Sequence, residues 1–106
     1  MKYVYDVSDF DHDRTAAKPY HEFLRVPRMS AGIYLLPAGM KDKQKPHGEA
    51  ELYYVLRGRA SVRIGDEEVD VTTGNIVFVP PRTEHGFFDI QEDLELLVVF
   101  APAESG

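Results

Sequence analysis

Residues 51–71 read ELYYVLRGRASVRIGDEEVDV, and the pattern in this stretch decides the fold. Glu51 to Leu56 is rich in aromatic and other β-favouring side chains and stops at Arg57-Gly58. Ala60 to Ile64 alternates apolar and polar with period two, Gly65-Asp66 supplies a turn, and Glu67 to Val71 alternates again. That pattern predicts an antiparallel hairpin with one wet and one buried face. The same grammar runs outward in both directions. Met29 to Leu36 is apolar and ends at Pro37-Ala38-Gly39, and Asn75 to Val79 stops at Pro80-Pro81. His85 to Ile90 and Leu94 to Phe100 complete the set. No stretch between Met29 and Pro102 has a helical period of useful length. Seven or eight short strands with Gly and Pro punctuation predict an all-β sandwich or barrel.

The first 28 residues differ, so the expected organisation is an N-terminal arm over residues 1–28 and a barrel over 29–102. Asp6 to Lys18 is polar and charge-rich, with too few apolar residues for a core element, and reads as an irregular cover. Tyr3-Val4-Tyr5 and Phe23 to Val26 are expected as short strands on either side of it, the second stopped by Pro27.

A length of 106 residues is one domain, and for a chain this short the expectation is marginal stability or help from a partner subunit. The net charge of −6 argues against a grip on nucleic acid or on an anionic membrane. The Lys41-Asp42-Lys43-Gln44-Lys45 stretch is too short and interrupted to rescue one. The absence of cysteine excludes disulfides, zinc–thiolate sites, iron–sulfur clusters and thiol nucleophiles. The N-terminus lacks the apolar run of a signal peptide, and no stretch reaches the roughly 20 apolar residues of a membrane span. The expected location is the cytoplasm.

Four histidines are present. His12 and His21 lie in the polar arm and are expected at the surface, whereas His47 and His85 lie at strand boundaries beside glycines. Glu49 and Glu51 follow His47 closely. On one straight strand the Cα atoms of His47 and Glu51 would lie about 13 Å apart, too far to share an ion with bonds of about 2 Å. The chain must turn between them, and Gly48 sits where the turn is needed. The expectation is that His47 ends one strand and Glu51 begins the next. Alternation then puts Tyr53 and Val55 on the face of Glu51, and Phe87 on the face of His85. Glu49 is expected in a solvated loop.

These residues resemble those of a known family. Gly39, Lys45, Pro46, His47, Glu51 and Gly58 are spaced like the first motif of the cupins. Gly74, Pro80, Pro81, His85 and Asp89 are spaced like the second, and fifteen residues separate the two, as in compact cupins. The resemblance implies a single-domain cupin β-barrel, the double-stranded β-helix or jelly roll. By position it also implies a metal site on Lys45, His47, Glu51 and His85. A protonated lysine has no lone pair to donate, so the ligand set becomes His47, Glu51 and His85. Arg82 stands where the family usually has glycine, and Asp89 where it usually has asparagine.

Two histidines and one carboxylate leave open positions and suit non-haem iron(II), with manganese, zinc, nickel and copper as alternatives. The expected protein is a small metalloenzyme of oxygenase, isomerase or lyase type acting on a small organic molecule. The alternative is a binding or sensor barrel without turnover, with or without metal. Glu51, Tyr53 and Lys45 are the candidate catalytic residues. Tyr34, Tyr53, Arg82 and Phe87 are the candidate substrate contacts, and Lys45 and Arg82 point to an organic acid. There is no Gly-x-Ser-x-Gly elbow for nucleophilic hydrolysis. A homodimer is expected, with Met1–Tyr5 and Phe23–Val26 at its interface.

Overall fold

The computed structural model describes residues 2–13, 19–42 and 46–105, with the backbone alone at 11–13. Among the described residues there are six strands: β1 (Tyr20–Val26), β2 (Met29–Leu36), β3 (Ala50–Ile64), β4 (Glu67–Thr72), β5 (Ile76–Val79) and β6 (His85–Ala101). All pairings are antiparallel, in the order β1-β2-β6-β3-β4, with β5 also on β3. The all-β double-stranded β-helix expected from the sequence is present.

The count falls below seven because two expected pairs of strands are continuous. Glu51–Leu56 and Ala60–Ile64 fuse into β3, and His85–Ile90 and Leu94–Phe100 fuse into β6. Gly58 interrupts pairing without ending the strand. Its φ is 104°, and a Cβ there would sit 2.8 Å from the Leu94 Cα, so only glycine lets the two long strands cross this closely. The β3–β6 register is irregular on both sides of this point. The long ladder bends there, and the sheet curls around its apolar face.

Along β6 the inward positions are His85 and Phe87, then Ile90, Leu94, Leu96, Val98 and Phe100. Their parity changes between Phe87 and Ile90, where Asp89 has φ 48°. Arg82, in the turn before β6, has φ 58°. Both departures from the motif therefore occupy left-handed backbone. Asparagine and aspartate tolerate that region, whereas arginine carries a Cβ penalty there. The core joins Phe87 and the inward β6 residues after it to Tyr53, Val55, Val62, Val71, Val77 and Val79. Each fully buried aliphatic or aromatic side chain contributes about 1.5–3 kcal/mol.

The arm differs from expectation in part. Residues 2–6 form no strand, and Tyr3 and Val4 are exposed, so the expected Tyr3–Tyr5 strand is absent. Val7–Asp13 is a 3-10 helix, started by Asp6, whose Oδ1 accepts from the Ser8 amide and hydroxyl. Those bonds hold the Asp6 carboxyl below its usual range. Tyr5 and Phe10 pack on Phe23 of β1, at ring-centroid distances of 4.9 and 5.2 Å. The Phe23–Val26 strand is present and begins earlier, at Tyr20.

Candidate metal centre

Strand β3 alternates strictly at its start. Glu51, Tyr53 and Val55 point inward and Leu52 and Tyr54 outward, which is the parity expected from the sequence. His47 departs from expectation. No strand occurs among the described residues between Leu36 and Ala50, so His47 ends no strand and sits in a loop. Hydrogen bonds place that loop. The Asp42 amide donates to the Phe87 carbonyl at 3.0 Å, and the Phe87 amide donates to Asp42 Oδ2 at 3.2 Å. The Arg82 amide donates to the His47 carbonyl, tying the His47 loop to the turn that delivers His85. Gly48 uses no left-handed backbone.

The register puts Glu51 opposite Phe100 and His85 opposite Ile64, at opposite ends of the β3–β6 ladder. Curling of the sheet brings them together. Glu51 Oε1 lies 3.1 Å from His85 Nε2, with both side chains 1% exposed. One donor atom each from His47, Glu51 and His85 fall within 4.8 Å of one another. His47 is the outermost, with its side chain 15% exposed.

Buried polar atoms normally have partners. Among the described residues, Glu51 Oε1 and His85 Nε2 are buried without an aligned hydrogen bond, as are the Tyr53 and Tyr20 hydroxyls. The other ring nitrogen of His85 explains the arrangement. Nδ1 lies 2.9 Å from the Thr83 carbonyl, which only accepts, so Nδ1 carries the proton. In the neutral imidazole, Nε2 then presents a lone pair toward Glu51, as metal-ligating histidines do when their far nitrogen is held by a carbonyl. Two atoms 3.1 Å apart can share one ion at bonds of about 2.1 Å. The donor set therefore fits a divalent cation. Burial pulls the His85 pKa down, but the adjacent Glu51 carboxylate, the Thr83 carbonyl bond and the charge of Asp42 outweigh it and raise it above the usual value. Burial, then the charge of Glu51, holds the Tyr53 phenol well above its usual range, so it stays protonated.

The other expected residues are distributed around this centre. Phe87 is buried and meets Tyr53 edge to face at 5.0 Å. Tyr34 directs its hydroxyl to Asp42 Oδ1 at 2.7 Å. Arg82 is exposed in its turn, His21 is exposed, and Lys45 and the His12 side chain lie outside the described residues. Glu49 corrects its expectation. It is buried, 7% exposed, and its Oε2 accepts from the Ser105 hydroxyl at 2.9 Å, because the C-terminal tail returns over this loop. A cavity of about 190 Å³ beside the centre is lined by Tyr20, Tyr34, Glu51, Phe100 and Glu104. A larger one of about 560 Å³ on the His85 side is lined by residues including Lys41, Asp42, Arg63, Glu84 and Phe87. Asp42, Tyr20 and Glu104 escaped the sequence reading. Asp42 was hidden between lysines, and Glu104 follows Pro102, outside any periodic pattern.

A family model described as a cupin domain matches residues 32–100. An uncharacterised protein of Streptomyces coelicolor is 49% identical over 86 residues, covering 81% of this chain and 82% of that protein. A Klebsiella pneumoniae conserved protein with a double-stranded β-helix domain superposes with a TM-score of 0.84 at 17% identity, covering 100% of this chain and 95% of that one. The DMSP lyase DddQ from Ruegeria pomeroyi superposes with a TM-score of 0.71 at 19% identity. This chain is covered over 81% and spans about half, 48%, of that lyase.

Proposed function

The chain belongs to the cupin family, and from that premise we propose that it is a small metal-dependent enzyme acting on a small organic molecule. The observation that carries this reading is the pair of buried, unaligned donor atoms on Glu51 and His85, with His47 beside them. His47, Glu51 and His85 would hold one divalent ion, with iron(II) favoured by the two-histidine, one-carboxylate set. When bound, such an ion supplies Lewis acidity and open coordination positions. Tyr53 would act as a proton donor or hydrogen-bond anchor, since its phenol is held protonated beside Glu51. Phe87 would exclude water, and Tyr34, held by Asp42, would form part of the cavity wall. The larger cavity sets Lys41 and Arg63 against Asp42, Glu68 and Glu84, with Arg63 paired to Glu84 at 3.5 Å, so the organic-acid reading rests on Lys45 and Arg82. Oxygenase, isomerase and lyase chemistry all fit the open positions. DddQ is a lyase on this fold, but a shared barrel does not choose among them.

The second reading is a metal-free binding module. It draws support from the same 3.1 Å contact, which becomes a buried ion pair when His85 is protonated. Metal analysis of untagged protein decides between them. The first reading expects close to one ion per chain, lost in Glu51→Ala and His85→Ala. Metal-free wild-type protein that stays folded would sink it. Oxygen consumption with iron(II) and a panel of small acids then sorts oxygenase from isomerase and lyase.

We propose a cytoplasmic homodimer, on composition and on a surface feature. Leu52, Tyr54, Ile76 and Phe78 are 40–65% exposed, and cross-strand pairing makes them neighbours, Leu52 with Phe78 and Tyr54 with Ile76. An apolar strip of this kind suits a second copy of the chain. On this reading the outer face of β3 and β5 would join the interface expected at Met1–Tyr5 and Phe23–Val26.

A further inference from the structure

The C-terminal tail after β6 is anchored at several points around the mouth of the barrel. The Glu104 amide donates to the Ser30 hydroxyl at 2.9 Å, and Ser30 is fully buried. Arg25 donates to the Glu104 carbonyl at 2.8 Å while its guanidinium holds Glu22 through two bonds. The Ser105 hydroxyl donates to Glu49 Oε2, on the loop that carries His47. These contacts turn the Glu104 side chain toward the metal centre. It lines the same cavity as Glu51, is 23% exposed, and brings Oε2 to 3.8 Å from His47 Nδ1.

That placement has an electrostatic cost. Glu104 shares its cavity with Glu51, and its neighbour Ser105 is bonded to Glu49. A solvated tail would leave an acidic side chain in water, yet three anchors hold this one among two other carboxylates. The compensating group it meets is the His47 imidazole.

We infer that Glu104 is a positioning residue for His47, holding the proton on Nδ1 so that Nε2 is presented to the metal. It does for His47 what the Thr83 carbonyl does for His85. A separation of 3.8 Å closes to a hydrogen bond with a small rotation of the Glu104 side chain. Carboxylates in this relation fix the tautomer and ring orientation of a ligating histidine, and their loss weakens metal affinity about 10- to 100-fold. The inference about affinity rests on the metal reading above, whereas the tautomer of His47 does not.

The test uses the full chain and three variants, Glu104→Ala, Glu104→Gln and Glu51→Ala. Long-range proton–nitrogen NMR spectra of the metal-free proteins report the His47 tautomer, and calorimetric titration with zinc(II) reports affinity. Wild type and Glu104→Gln, whose amide oxygen still accepts, are expected to keep the proton on Nδ1 and to bind zinc within a few-fold of each other. Glu104→Ala is expected to shift the proton toward Nε2 and weaken zinc binding about 10- to 100-fold. A Glu104→Ala protein with the wild-type tautomer, or with wild-type zinc affinity, overturns the inference. If zinc binding survives in Glu51→Ala, the metal reading fails instead, and the tautomer spectra alone decide the role of Glu104.

Discussion

The two faces of β3 over residues 51–55 invert the usual distribution of polarity in opposite directions. Inside the barrel, Glu51 and Tyr53 are 2% and 0% exposed. Outside, Leu52 and Tyr54 are about 40% exposed and continue onto the more exposed Ile76 and Phe78 of β5. A buried carboxylate is costly unless something compensates it, and a contiguous exposed apolar strip is a liability unless something covers it. On the function proposed above, each face would meet a group beyond the chain, a cation inside and a second copy outside. Because side chains alternate, the two roles sit on adjacent residues without interfering, and mutations one position apart should separate them.

The largest expected effect is on the inner face. Glu51→Ala should abolish stoichiometric metal binding, with an affinity loss beyond the roughly 100-fold upper range for an outer partner. Leu52→Ser, one residue along, should leave metal content unchanged. Elemental analysis of the two purified proteins checks both, and equal metal content would break the comparison. Next comes the outer face. Replacing Phe78 with Asp puts a charge in the strip and should weaken dimerisation by at least about 2 kcal/mol, the scale of an interface hot spot. Light scattering at micromolar concentration should then give a monomer that still binds metal. A wild-type chain that is already monomeric removes the outer half of the argument.

A pH series acts on the inner face. The folded pKa of His85 is raised, so a bound proton competes with metal. Affinity should fall about tenfold per pH unit below that raised value. Stability of the metal-free protein runs the other way. The His85 contribution is fully present below the ordinary histidine pKa and is lost as pH rises through the raised one. Thermal melts of metal-free and metal-loaded protein should therefore show opposite slopes with pH, and parallel slopes would count against the metal centre. The smallest effect belongs to Arg82→Gly. It relieves left-handed backbone at φ 58° but frees the unfolded chain. The net stability change should stay within about 1 kcal/mol, read as a small shift in thermal midpoint with unchanged metal binding.

Much of the fold was legible because its signals are local. The strand from Met29 to Leu36, the turn at Gly65-Asp66 and the stop at Pro80 all fall where the period and the punctuation place them. The number of strands was not, since Gly58 reads as a terminator in sequence and acts as a bend in space. The site was legible in its donors and in the shared face of Glu51 and Tyr53. The burial of Glu49 was not, and neither were the bonds of Asp42 to Phe87 and Tyr34 or the return of Glu104 to His47. Those depend on which distant segment covers a loop, and a short polar segment carries no period that announces its partner.

The sequence by itself determined the β class, the shared facing of Glu51 with Tyr53 and Val55 and of His85 with Phe87, and the three side chains that could hold an ion. A period of two depends only on neighbouring residues, so these features are written locally. The tertiary structure decided that the three side chains meet. Glu51 and the partner of His85, Ile64, stand about 40 Å apart along a flat strand. Only the bend at Gly58 and the register of the long ladder close that span to a 3.1 Å contact.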